Sequence, residues 1–339
     1  MIFQNIELHN VSELTPAADG KAYTFHRAPV AVESTLSDSG KRMNQGGTGV
    51  ELRFEVLSEA GVDITMRLLS DVPLARVIPV YYGNIVTGWQ ECRKVVFNTP
   101  TRIHVAQPAN MPMLERIHRE NGFPFDPHVV RLMLPVSSYE IISVEGDVCP
   151  PKPEHLPAKR LLTYGSSITH GSLSLLPMGS YVFRTAENLG MDIINMGYAG
   201  AARMEKSMAE FIASRQDWDV ATLEMGINSL DMSEELFTER VHDFITTIAN
   251  AHPRKPVFAI DIFFCDQDMN GKTKVNAFRD IVKREVASSG LPNLHYLPGL
   301  EIMTIGSAGL SGDFVHPNLR GHENMALNLT RLINRILQA

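Results

Sequence analysis

The chain has 339 residues, 44% hydrophobic and 20% charged, with a formal net charge of −7. At ~150 residues per domain this length predicts two domains with sizeable cores, and the composition excludes wholesale disorder. The acidic balance without any Lys/Arg run excludes a general nucleic-acid binder, and the three scattered cysteines exclude a disulfide scaffold or a cysteine zinc site.

The first ten residues lack the basic start and long apolar stretch of a signal peptide, and no stretch is long enough to span a membrane, so a cytoplasmic protein is expected. Up to about residue 146 the pattern is mostly period two. Glu51 to Val56 alternates polar and apolar, as a half-buried strand does. Ala22 to His26, Ile64 to Leu68, Ala75 to Tyr81, Arg93 to Phe97, Arg102 to Val105, Val130 to Leu134 and Glu140 to Val144 also read as short strands. Turn residues such as Gly46-Gly47 and Gly83-Asn84 separate them, and Met111 to Asn121 reads as a helical insertion. Many short strands with regular turns predict an antiparallel β-sandwich.

A Pro-rich stretch follows, Cys149-Pro150-Pro151-Lys152-Pro153 and then Pro157, which reads as a stiff linker. The boundary is placed near residue 155, giving a sandwich domain with its linker over 1–155 and a second domain over 156–339. In the latter, strands alternate with longer helical segments. The strands are Arg160 to Tyr164, Asp192 to Met196, Val220 to Met225, Val257 to Phe264 and Leu294 to Leu297. The helices are Ser180 to Leu189, Met204 to Ala213, Ser233 to Asn250, Lys272 to Ser288 and Arg320 to Leu337. That alternation predicts an α/β domain, a parallel sheet with helices on both faces. Ligands of such sheets bind beyond the carboxyl ends of the strands.

Those ends carry small and polar residues. The first strand runs into Gly165-Ser166-Ser167, the second into Gly197-Tyr198-Ala199-Gly200, and the third into Gly226-Ile227-Asn228. Asp313-Phe314-Val315-His316 precedes the last helix. In this order the blocks resemble those of the SGNH hydrolases, or GDSL-type esterases, over about 180 residues from near Arg160 to the end. The resemblance implies a three-layer α/β/α catalytic domain with Ser167 as nucleophile. His316 is then the general base, Asp313 its orienting acid, and Ser167, Gly200 and Asn228 the oxyanion hole. One residue departs from the pattern: the middle of the first block is Ser166 and not aspartate. A subgroup with a GSS-type block and an N-terminal β-sandwich looks similar, and it includes carbohydrate esterases and some acyltransferases.

The chemistry agrees. A serine hydroxyl needs a base to accept its proton, and histidine is suited to the task. The developing oxyanion needs preorganised donors, and a nearby carboxylate holds the imidazole in one tautomer. The reading is a serine esterase removing short acyl groups, acetyl above all, from a carbohydrate or similar small polar substrate, with no cofactor and no metal. An acyltransferase with the same acyl-enzyme and a non-catalytic carbohydrate-binding protein are the alternatives. Neither nucleic acid nor membrane is an expected partner, and a homo-oligomer is left open. There is no full GxGxxG site and no phosphate loop. Asp261, Asp266 and Asp268 read as a solvated acidic loop, His322 as surface or packing, and Trp89 as a structural tryptophan. His170 reads equally as pocket lining or as an ordinary loop residue.

Overall fold

The computed structural model describes residues 1–88, 94–304 and 309–338. Contacts divide the chain into two compact units, Met1–Val30 with Asn44–Ala158, and Ala31–Met43 with Lys159–Ala339. The division at 158/159 lies close to the expected boundary. Nothing in the sequence pattern marks Ala31–Met43 as part of the second unit.

The first unit is built on two antiparallel sheets. One orders its strands Ile2–Phe3, Ile6–His9, Glu51–Val56, Val130–Met133, Val80–Tyr82 and Ile85–Val86, with Val148–Cys149 also paired to Glu51–Val56. The other orders them Thr101–Val105, Val62–Leu68, Tyr139–Gly146, Tyr23–His26 and Glu13–Pro16. The apolar positions of both meet in one core that includes Leu52, Phe54, Leu132, Ile64, Met66 and Ile141. Val62–Leu68 shows the period-two rule directly: Val62, Ile64, Met66 and Leu68 are buried and the residues between them are not. Met111–Asn121 is a helix, closed by Gly122 at φ 63°.

Two expectations are corrected. Glu51–Val56 is buried on both faces. Its charged face is satisfied internally: Glu51 accepts from Arg53 Nε at 2.9 Å and from Arg131 Nε at 2.7 Å, and the Phe125 ring lies 3.8 Å from the Arg131 guanidinium. Burial pushes the Glu51 carboxyl up, but Arg131 and Arg53 outweigh it and hold it at about 2. The run Ala75 to Tyr81 is not one strand. Ala75–Ile78 pairs with Lys94–Phe97, while Val80–Tyr82 joins the larger sheet. Pro79 lies between them and has no N–H to carry one ladder through.

The second unit is a five-stranded parallel sheet in the order Asp192–Gly197, Arg160–Gly165, Val220–Glu224, Val257–Ile260 and Leu294–Leu297. Apart from the half-buried Arg160, every residue of the first four is buried, as in strands covered on both faces. Helix Tyr181–Asn188 packs with Leu319–Leu337, and Lys206–Ser214, Glu234–Ala251 and Lys274–Ser289 pack in succession. Strand order reverses beside Arg160–Gly165, and in open parallel sheets the chain ends at such a reversal diverge at the place where ligands bind. All three glycine- and serine-bearing blocks leave from there.

The base of the Ala31–Met43 excursion is pinned by Asn44, whose side chain bonds both ways with the backbone of Ala28, at 2.7 and 2.8 Å. Within the second unit, Thr35 Oγ1 lies 2.6 Å from Ser207 Oγ, and Ser39 Oγ donates to the Ala199 carbonyl at 3.4 Å. Among the described residues no helix is long and apolar enough to cross a membrane.

Candidate active site

Ser166 and Ser167 are adjacent but face different partners. Ser166 is 1% exposed and caps the short helix Ser167–His170, its Oγ accepting from Ile168 N at 3.2 Å. Ser167 Oγ lies 2.7 Å from His316 Nε2. His316 Nδ1 in turn lies 2.7 Å from Asp313 Oδ2. A proton on Nδ1 satisfies the carboxylate and leaves Nε2 as acceptor for the Ser167 hydroxyl, so one tautomer serves both contacts.

Asp313 is itself held. Its Oδ1 accepts from Ser311 Oγ at 2.7 Å and from the backbone N–H of Val315 and His316, each at 2.9 Å. Partial burial pushes its carboxyl up, but these donors and the His316 ring outweigh burial and hold it well below the usual carboxylate range. Phe314, at φ 56°, makes the tight turn that brings Asp313 and His316 face to face. The side chains of His316 and Asp313 are 25% and 49% exposed, so the triad opens to solvent.

Gly200 adopts φ 69°, a conformation natural to glycine. Asn228 Oδ1 accepts from Ala202 N at 3.2 Å, which fixes which end of the amide is oxygen and which is Nδ2. The Asn228 carbonyl accepts from Arg203, which also forks onto Asp231 at 2.9 and 3.0 Å. Gly226 precedes at φ 117°, where a Cβ would lie 2.5 Å from Ile262 Cγ1. Among the described residues no protein acceptor takes the N–H of Ser167 or Gly200, or the Nδ2 of Asn228. Three unpaired donors thus leave three adjacent strands, with the Ser167–His316–Asp313 relay beside them. That arrangement can activate a hydroxyl and stabilise an oxyanion.

The remaining candidates have other places. His170 is buried beneath the site, with Nδ1 3.0 Å from the Gly197 carbonyl. Asp261 bonds Tyr296 Oη and Gly299 N, and Asp268 forks onto Arg279. These are interior ties rather than a wholly solvated loop. Among the described residues no group of three or more His, Cys, Asp or Glu is placed to hold a metal ion. Trp89 and Cys92, and the Arg93 end of a proposed strand, lie outside the described residues.

His322 is fully buried in the last helix. Its Nδ1 accepts from Tyr181 N at 3.2 Å and its Nε2 contacts the Ser172 carbonyl at 2.9 Å. Burial pushes this imidazole down to about 4, against the partial support of Ser172. Between pH 6.5 and 4 the unfolded chain therefore binds a proton that the folded chain refuses. This contribution to stability is complete above pH 6.5 and falls by about 3 kcal/mol as pH drops through that window. Urea midpoints of the wild type and His322→Gln at pH 7 and 4.5 measure it. The variant is expected to lose markedly less of its stability on acidification, and an identical loss in both proteins would refute the assignment.

Residues with no warning in the sequence also belong here. Glu224 sits directly behind the first block, Arg203 braces Asn228, and Ser39 reaches the peptide that leads into Gly200.

The GDSL-like Lipase/Acylhydrolase family model matches residues 158–334. No curated protein matches the chain by sequence. Among solved structures, the chain is similar to the salicylyl-acyltransferase SsfX3 from a tetracycline biosynthetic pathway, with TM-score 0.77 and 16% identity over 98% of this chain and 95% of that one. It is also similar to a structure described as a GDSL-like lipase from Bacteroides ovatus, with TM-score 0.67 and 20% identity over 98% of each chain. A family two carbohydrate esterase from Clostridium thermocellum aligns with TM-score 0.59 and 16% identity, over 85% of this chain and 92% of that one. At these identities the likeness is one of fold.

Proposed function

The chain belongs to the GDSL-like lipase/acylhydrolase family, and from that membership we propose that it is a serine esterase that removes short acyl groups, acetyl above all, from a carbohydrate or similar polar alcohol. The observation that carries the reading is the assembled relay, with Ser167 Oγ 2.7 Å from His316 Nε2 and His316 Nδ1 2.7 Å from Asp313. Ser167 Oγ attacks the ester carbonyl while His316 Nε2 takes its proton. The tetrahedral oxyanion is met by the N–H groups of Ser167 and Gly200 and by Asn228 Nδ2. His316 returns the proton to the leaving alcohol, and the acyl group stays on Ser167. Water, deprotonated by the same nitrogen, then releases the acid. The open triad supports an alcohol portion that is large and hydrated.

A second reading has its own support. The salicylyl-acyltransferase aligns along nearly the whole chain, sandwich included. In an acyltransferase the acyl-enzyme is identical and an alcohol replaces water in the second step. A non-catalytic carbohydrate-binding role leaves the relay without a purpose. A panel of acetylated sugars and activated aryl esters, with product masses followed in water and with added alcohols, separates these readings. Release of free acid from acetylated sugars is expected. Exclusive transfer to the alcohol would assign the acyltransferase, and inertness toward every ester would leave the binding role.

Asn228→Ala tests the oxyanion hole. It removes one donor and leaves Ser167 and His316 in place. The expected loss is roughly 10²–10³ in kcat, or about 2.7–4 kcal/mol, with KM little changed. A raised KM at unchanged kcat would make Asn228 an ordinary binding residue.

A further inference from the structure

We infer that Glu224 is a positioning residue for the nucleophile, holding the turn that carries Ser167 against the strand that leads to Asn228; the inference rests on the reading of Ser167 as nucleophile. Glu224 ends the strand Val220–Glu224, one residue beyond the Tyr164–Leu223 pair, and so lies abreast of Gly165. Its Oε2 accepts from Ser166 N at 2.6 Å and from Thr169 Oγ1 at 3.1 Å. With that proton committed, Thr169 accepts in turn from the buried Tyr181 hydroxyl at 2.8 Å. One carboxyl oxygen therefore grips the chain on both sides of Ser167.

The surroundings are shaped for it. Glu224 is 1% exposed, and among the described residues its Oε1 has no partner. Gly165 leaves the space: a Cβ there would lie 2.4 Å from both Glu224 Oε2 and Thr169 Oγ1. Burial pushes the carboxyl up toward its neutral form, against its hydrogen bonds with Ser166 and Thr169. A neutral acid still offers an acceptor oxygen to Ser166 N and Thr169, so the grip needs shape rather than charge. The first block of this chain has Ser166 at its middle position, and the carboxyl behind it arrives from the neighbouring strand. Asn228 lies four residues further along that same chain. The anchor of the nucleophile and the third oxyanion donor thus share one strand end. This fixes the distance between attacking oxygen and oxyanion site, and displacing reacting groups by about 1 Å can cost roughly 10²-fold in rate.

The test is the second-order rate at which an organophosphonate labels Ser167, read with kcat and KM for an activated acetyl ester and with the melting temperature. Glu224→Ala is expected to lower the labelling rate and kcat together by roughly 30- to 100-fold, with KM within about twofold. Glu224→Gln, which keeps the acceptor oxygen, should label at least about ten times faster than Glu224→Ala. A carboxyl returned through Ser166→Asp should slow labelling in the wild type, where two buried carboxyls collide, and speed it in Glu224→Ala. A residue that only stabilised the fold would shift the melting temperature without that reversal of sign. If Glu224→Ala does not fold, Thr169→Val carries the same test, with an expected loss of about fivefold in labelling. Wild-type labelling with undiminished rates in Glu224→Ala, or in Thr169→Val where that variant stands in, would overturn this inference alone. So would Ser166→Asp acting in the same direction in both backgrounds. Failure of the wild type to be labelled at Ser167 would overturn both this inference and the functional reading beneath it.

Discussion

Ser167→Ala is expected to lower kcat by roughly 10⁵–10⁶ while leaving the fold and KM nearly unchanged. The hydroxyl it removes is the one placed 2.7 Å from His316 Nε2. The neighbouring Ser166 cannot take over, because it is buried and its oxygen is committed to Ile168 N and the Glu224 side. The residual rate should be that of a site that binds and polarises an ester but has no nucleophile. Turnover of an activated acetyl ester measures the loss, and peptide mapping of an organophosphonate adduct identifies the oxygen. Retention of more than about one per cent of kcat, or an adduct on Ser166, would move the chemistry elsewhere.

Asp313→Asn is expected to cost roughly 10⁴ in kcat with little change in melting temperature. The amide oxygen can occupy the Oδ1 position and keep the bonds from Ser311, Val315 and His316 N, so the turn survives. The amide nitrogen then replaces Oδ2 opposite His316 Nδ1. Two donors cannot share that contact, and the ring is driven to the tautomer whose proton sits on Nε2, facing Ser167. The lone pair that accepts the serine proton is lost, as is the negative charge beside the imidazolium. A folded Asp313→Asn variant within tenfold of the wild type would reduce Asp313 to a turn residue.

Much of this site is legible because its chemistry demands fixed types at strand ends. Asp313 and His316 are three residues apart, and the structure closes their side chains to 2.7 Å. The serine and glycine blocks follow strands that the alternating pattern locates to within a residue or two. Burial was less legible. Alternation in Glu51–Val56 marks two chemically different faces, but it does not say that Arg131 and Phe125 cover the charged one. Glu224 gave no signal, since a single carboxylate at a strand end has no spacing to recognise. Its meaning depends on Gly165 and Thr169, which only the parallel pairing brings beside it. The same is true of Ser39 and Ala199, 160 positions apart in the chain.

The excursion at Ala31–Met43 also sets an order of events during synthesis. A ribosome releases the chain from its N-terminus at ~5–20 residues per second, and early domains fold as they emerge. Ser207, the partner of Thr35, follows it by 172 positions, which adds roughly 10–35 seconds at that pace. Once the first unit is complete at Ala158, the segment has left it, pinned at its base by Asn44, and the other unit does not yet exist. Leu36, buried in the finished protein, has no surface of its own unit to cover it until then. The nascent chain is therefore expected to be most vulnerable to proteases and chaperones at these thirteen residues. A fragment starting at Lys159 would inherit the complementary defect, a catalytic unit missing a piece made long before it.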